Sequence, residues 1–285
     1  MNPLLNTIPI IDSHIHLWDI NRLSYPWLDN VPAIRKSFYI EDYQQATSDF
    51  QIEKMVFIQG ECKPEDNLRE IDFAMQQVSK DRRIQAIVAY APLEKGKDVL
   101  QLLNSFSSNP LIKGVRRMYD DNPDICYSFS FLDGANLLAD QGLSFDISIK
   151  PVSMKPTIHM IKECPGTQFI IDHLGKPDIR NRSLDEFRLA MEKLAFFPNV
   201  TAKVSGLITE ADKDDWNIEH LLPYIKHAIQ CFGFDRLLFG SDWPVVLLAG
   251  SFEKWVNALQ EILNDCSPEE LNKLFHDNAV RIYKL

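Results

Sequence analysis

Residues 168–177 read Gln-Phe-Ile-Ile-Asp-His-Leu-Gly-Lys-Pro. An apolar run stops abruptly at Asp172 and His173, and a turn follows at Gly175 and Pro177. A short apolar run rich in β-branched and aromatic residues, closed by turn residues, predicts a strand with both faces covered. The same unit recurs along the chain. Apolar runs at 8–11, 54–58, 84–89, 111–115, 143–149, 167–171, 200–204 and 236–239 alternate with amphipathic stretches such as 64–79, 183–197 and 218–232. In those stretches apolar residues fall three and four apart, the spacing of a helix with one buried face. Ser183, three residues before Glu186, predicts a capping box at one helix start. Parallel neighbouring strands need a helical crossover, so strand–helix alternation predicts a parallel sheet. Eight such units are the number that closes a (β/α)8 TIM barrel, and a single domain over 1–285 matches the typical barrel length of about 250 residues. A doubly wound open sheet is the alternative. The unit count and the placement of polar residues favour the barrel.

That placement is systematic. The runs end in Asp12-Ser-His14-Ile-His16, Gln59-Gly-Glu61, Arg116-Arg117, Lys150, Asp172-His173, Lys203-Val-Ser205 and Ser241-Asp242. In a barrel of this kind the chemistry sits at the C-terminal ends of the strands.

Composition narrows the function classes. Hydrophobic residues make up 45% of the chain and charged ones 25%, the balance of a globular protein. A net charge of −10 with no dense basic block excludes the electrostatic footprint of a nucleic-acid or anionic-membrane binder. The five cysteines (Cys62, Cys126, Cys164, Cys231, Cys266) form no Cys-x-x-Cys pair, which predicts a reducing compartment. The start, MNPLLNTIPIIDSH, lacks a basic and then apolar leader, and no stretch is long enough to cross a bilayer. The expectation is a cytoplasmic protein without a membrane partner. No interface signature predicts an oligomeric state.

His14 and His16 lie two apart, so in an extended segment both imidazoles point to one side. That suits two ligands on one metal ion, although paired loop histidines would show the same spacing. His173 is a candidate catalytic group or a structural histidine at a strand end. Asp242 could serve as general base, metal ligand or helix cap. The apolar Trp243-Pro244 beside it predicts a raised carboxyl pKa. Lys203 and Ser205 share a face by alternation and form either a substrate-binding pair or part of a structural ion pair. His159, His220, His227 and His276 read as surface or packing residues, and 267–282 reads as a helix completing the outer ring.

The segments IDSHIHLWD, GVRR, DHLGKP, KVSGL, FGSDWP and DNAVRIY resemble the amidohydrolase superfamily. More narrowly they resemble its branch of sugar-acid lactonases (fuconolactonase- and rhamnonolactonase-like) and 2-pyrone-4,6-dicarboxylate lactonase. The resemblance spans nearly the whole chain. It implies that His14 and His16 are the first-strand pair, that His173 is the sixth-strand histidine, and that Asp242 activates the attacking water. Arg116 or Arg117, Lys150 and Lys203 are then the groups that bind the substrate's polar atoms, with Trp18, Tyr25 and Trp27 in the loop over the pocket, where Tyr25 and Trp27 either stack on a sugar ring or pack the loop down. The resemblance implies one divalent ion, zinc or manganese, on His14, His16 and Asp242, with Glu61 as an outlying candidate. It equally allows a metal-independent centre. A two-metal centre is not expected, because the fifth segment FDISIKP offers Asp146 and Lys150 but no histidine. The implied activity is hydrolysis of a small-molecule lactone. The alternatives are a metal-dependent decarboxylase of the same superfamily and a barrel that binds without catalysing.

Overall fold

The computed structural model describes residues 8–285; the leader expectation concerned the chain start, and residues 1–7 lie outside the described part. Eight strands form one parallel sheet in sequential order: β1 (Ile10–Ile15), β2 (Ile52–Ile58), β3 (Ile84–Tyr90), β4 (Ile112–Arg116), β5 (Ser144–Ile147), β6 (Phe169–Ile171), β7 (Val200–Val204) and β8 (Leu237–Phe239). The ring closes just beyond β8. Ile15 bridges Trp243 in parallel, His16 N–H donates to the Trp243 carbonyl at 2.7 Å, and Asp242 N–H donates to the His14 carbonyl at 2.9 Å. The eight-stranded barrel expected from the alternation is the fold.

Helices cover the outside. Ile218–Phe232 buries Leu221, Tyr224, Ile225, Ala228 and Phe232, one stripe at helical spacing, and Asn217 caps it by accepting from His220 N–H. The helix Leu184–Ala195 begins where expected but without the predicted capping box. Arg182 before it is left-handed (φ 56°), and Ser183 N–H donates to the Asp178 carbonyl at 3.1 Å, which leaves Ser183 outside cap geometry. The first strand also differs from expectation, running through Asp12, Ser13 and His14 instead of ending before them. Those polar groups are all matched inside the barrel. Asp12 accepts from Tyr43 Oη at 2.9 Å and from Ser241 N–H at 2.9 Å, and Ser13 Oγ donates to the Phe239 carbonyl at 2.5 Å.

The C-terminal segment corrects a further expectation. Pro268–Asn272, capped by a Ser267/Glu270 box, runs through a π-helical turn at Lys273–Asp277 into the helix Asn278–Tyr283. It does not simply extend the outer ring. Ala279 and Tyr283 pack with Ile11, Val56, Val88, Ile170 and Leu238, side chains of the barrel interior, and so form its floor. Burying each large side chain of such a cluster contributes about 1.5–3 kcal/mol. The floor thus fixes the strand ends from below, while the opposite rim stays free for polar groups.

Candidate active site

Three imidazoles converge on one carboxylate oxygen. Asp242 Oδ1 lies 3.5 Å from His16 Nε2, 3.7 Å from His14 Nε2 and 3.9 Å from His173 Nε2. The two first-strand rings meet edge to face with their Nε2 atoms 3.1 Å apart. Alternation in β1 puts them on one side, as the His-x-His spacing predicts. His16 Nδ1 faces the Ile58 carbonyl at 2.8 Å, so a ring N–H there leaves the Nε2 lone pair directed at Asp242.

Two loops carry the remaining groups in strained backbone. His173, Leu174, Gly175 and Lys176 all have positive φ (54°, 50°, 73° and 47°), and Asp242 has φ 58°. Left-handed residues other than glycine cost on the order of 1–3 kcal/mol each and persist where the surroundings impose them. Here the surroundings do. His173 Nδ1 is held by Ser205 Oγ at 2.9 Å, and Gly206 (φ 61°) lets the β7 loop approach so closely that a Cβ would lie 2.6 Å from His173 Nδ1.

Burial strips water from the imidazolium form, and this pushes His14 well below its ordinary range and His173 down to about 4, against the pull of the neighbouring aspartates. Asp242 behaves opposite to the expectation of a raised pKa. Burial does push its carboxyl up, but His173, His16 and His14 together carry it below the usual carboxylate range. The Trp243-Pro244 surroundings are outweighed by three nearby ring nitrogens.

A cavity of about 660 Å³ opens over this cluster, lined by His16, His173 and Asp242 and by Arg116, Arg117, Lys150, Trp27 and Glu61. Arg116 is nearly buried; one terminal nitrogen donates to the Gln59 carbonyl at 2.8 Å, another lies 3.6 Å from Asp172 Oδ2, and Nε has no partner among the described residues. Arg117 is clamped by Glu94 at 3.1 and 3.2 Å. Trp27 Nε1 donates to the Gly60 carbonyl at 2.8 Å. Glu61 sits in a left-handed turn (φ 59°) and bonds to Gln59, away from the ligand-competent clusters.

Three expected substrate-binding residues do not reach the cavity. Trp18 is fully buried behind Trp27, with Nε1 bonded to the Lys36 carbonyl at 2.7 Å. Tyr25 packs on Gly60, where a Cβ would lie 3.2 Å from its ring. Both pin the loop instead of facing substrate. Lys203 lies beneath the histidines, bound to Asp146 Oδ2 at 2.7 Å and Asp172 Oδ1 at 3.0 Å, fully buried. Asp172 and Asp146, which hold Lys203 beneath the histidines, are positions that sequence reasoning left without a role. The signal available was their polarity within otherwise apolar strands.

These groups sit at the C-terminal rim of a closed barrel, and the amidohydrolase family model matches residues 11–285. The chain belongs to the amidohydrolase family. Relatives of this amidohydrolase include protein y4mH of Sinorhizobium fredii, 30% identical over 99% of this chain and 100% of that one. They also include an L-fucono-1,5-lactonase of Burkholderia ambifaria, 28% identical over 96% of this chain and 95% of the other. A crystal structure of an amidohydrolase from Burkholderia multivorans with bound zinc superposes with a TM-score of 0.87 at 24% identity, covering 97% of this chain and 99% of that one.

The donor set of this amidohydrolase fits a divalent ion. His14, His16 and Asp242 offer two imidazole nitrogens and a carboxylate oxygen within 4.8 Å of one another, all buried. No helix of the described residues is long and apolar enough to cross a membrane.

Proposed function

We propose that this amidohydrolase is a lactonase that opens the ring of a neutral, polyhydroxylated sugar-acid lactone. The observation that carries the reading is the convergence of three imidazole Nε2 atoms on Asp242 Oδ1 at the base of a solvent-reachable cavity. One of the relatives named above is an L-fucono-1,5-lactonase, which supports the same bond.

The wall of the cavity favours a neutral substrate over a dicarboxylate. Its carboxylates (Glu61, Asp120, Asp121, Glu210 and Asp242) match its cations (Arg116, Arg117, Lys150 and Lys176) almost one for one. Arg117 is moreover already neutralised by Glu94. A dianion would enter such a wall without the excess of positive charge that recognises it. Hydroxyl groups, by contrast, bond to both kinds of residue.

In the reaction, Asp242 accepts a proton from water as the water oxygen bonds to the lactone carbonyl carbon. A zinc or manganese ion on His14, His16 and Asp242 would supply a lowered water pKa and a polarised carbonyl. Arg116, which lines the cavity, donates to a substrate oxygen in this reading. When the ring C–O bond breaks, the leaving oxygen recovers the proton from Asp242, with His173 Nε2 adjacent to pass it.

Proton release with a pH indicator tests the reading, on metal-stripped protein and on protein supplied with Zn²⁺ or Mn²⁺. Aldonolactones should release acid, and 2-pyrone-4,6-dicarboxylate should do so far less. Silence on every lactone, with CO2 release from aromatic acids, would replace the lactonase by a decarboxylase.

A further inference from the structure

Below the cavity floor the barrel holds a second metal-compatible group. His14, Asp172 and His173 also bring ligand atoms within 4.8 Å of one another. On donor chemistry alone the chain thus has two overlapping sites that share His14, an outer one at Asp242 and an inner one at Asp172. Two observations set the inner one apart. Asp172 lies inside the barrel with neither oxygen hydrogen-bonded among the described residues, so it is held by close contacts to cations and an imidazole. Those contacts are the Lys203 ammonium at 3.0 Å, His14 Nδ1 at 3.3 Å and Arg116 at 3.6 Å.

We infer that the Lys203 ammonium is a built-in cation that fills the inner site, so that the centre takes at most one metal ion. Lys203 Nζ lies 3.2 Å from His14 Nδ1 as well as 3.0 Å from Asp172 Oδ1, beside the two atoms that would have to ligate an inner ion. The side chain cannot swing aside. It is fully buried, and a third contact, to Asp146 Oδ2 at 2.7 Å, anchors it from below. Asp146 is itself fixed by Tyr283 Oη at 2.5 Å and Ser144 Oγ at 3.1 Å. A divalent ion beside this ammonium would face like charge in a fully buried region. The consequence for His14 is directional. Its Nδ1 is engaged inward by the Lys203–Asp172 pair, and its Nε2 is left to face the outer site. Lys203 is in this sense a positioning residue, acting on the reaction through His14. The inference is independent of which bond the enzyme breaks.

Metal stoichiometry tests it without reference to turnover. Stripped protein is equilibrated with excess Co²⁺, gel-filtered, and its cobalt counted by atomic emission. Lys203→Met should carry one more equivalent per chain than the natural protein. The double variant Lys203→Met with Asp146→Asn removes one charge of each sign, and it serves the same comparison if the single variant does not fold by circular dichroism. One added equivalent in either folded variant supports the proposal. Equal cobalt in natural and variant proteins would overturn it, as would two equivalents in the natural protein.

Discussion

Tyr283 donates its hydroxyl to Asp146 Oδ2 at 2.5 Å, across 137 positions of sequence. Through this bond the C-terminal helix reaches up the barrel axis to the charged layer under the histidines. Tyr283→Phe keeps the ring in its apolar contacts and removes only the donor. Leaving a buried acceptor short of a partner costs about 1–3 kcal/mol. The urea midpoint should fall accordingly; an unchanged midpoint would mean the bond adds nothing to the floor.

Asp242→Asn removes the proton acceptor while keeping size and backbone. Loss of a general base lowers kcat by roughly 10²–10⁴-fold. The melting temperature should stay within a few degrees of the natural protein. Turnover near the natural rate on the true substrate would take the base role from Asp242.

Gly206→Ala tests the close approach of the β7 loop. Its backbone is left-handed, and the new Cβ would press on His173 Nδ1 at 2.6 Å and Asp242 Oδ2 at 3.0 Å. The ring must move, and a displacement of about 1 Å at a reacting group can cost on the order of 100-fold in rate. Stability should drop by about 1–2 kcal/mol, the cost of a Cβ in left-handed backbone. Comparing kcat/KM with the unfolding free energy checks both; a variant normal in each would show that the loop yields freely.

Glu70 gives a pH dependence outside the catalytic cluster. Burial pushes its carboxyl up to about 7, although Gly60 N–H donates to it at 2.9 Å. The folded state therefore keeps a proton that the unfolded chain, with an ordinary value of 4.5, gives up. Its contribution to stability is full below pH 4.5 and is lost as pH rises through about 7. At ~1.4 kcal/mol per tenfold, that span is worth on the order of 3 kcal/mol. Glu70→Gln does not titrate, so the natural protein should lose ground to it between pH 5 and pH 8 in chemical denaturation. Parallel curves for the two proteins would sink the assignment.

The barrel was legible because strands covered on both faces are short apolar runs, and these run out into polar residues at one rim. The residues that meet at Asp242 were legible for the same reason: His14, His16, His173 and Asp242 each interrupt such a run. The end of β1 was not, because Asp12, Ser13 and His14 read as loop until their partners across the barrel are known. Lys203 was left open between the pocket wall and a structural ion pair, because alternation gives a side of the strand and not a depth within the barrel; the ion pair is what the structure shows. Its partner Asp146 is 57 residues away and His14 is 189 away, separations that no local pattern records. Trp18 was misplaced and Tyr25 left open between two readings, because an aromatic side chain that pins a loop and one that faces a ligand have the same local sequence.

Ring closure between β1 and the Asp242 loop has a consequence for how the protein comes to life. Ser13 and its closing partner Phe239 are 226 residues apart, and Asp242 lies just beyond. On the ribosome the paired histidines emerge early and wait through most of translation for the carboxylate they surround. A chain interrupted between the first strand and that segment has the two histidines but not the carboxylate they surround. Any activity that needs the assembled cluster therefore certifies that synthesis has passed the eighth strand.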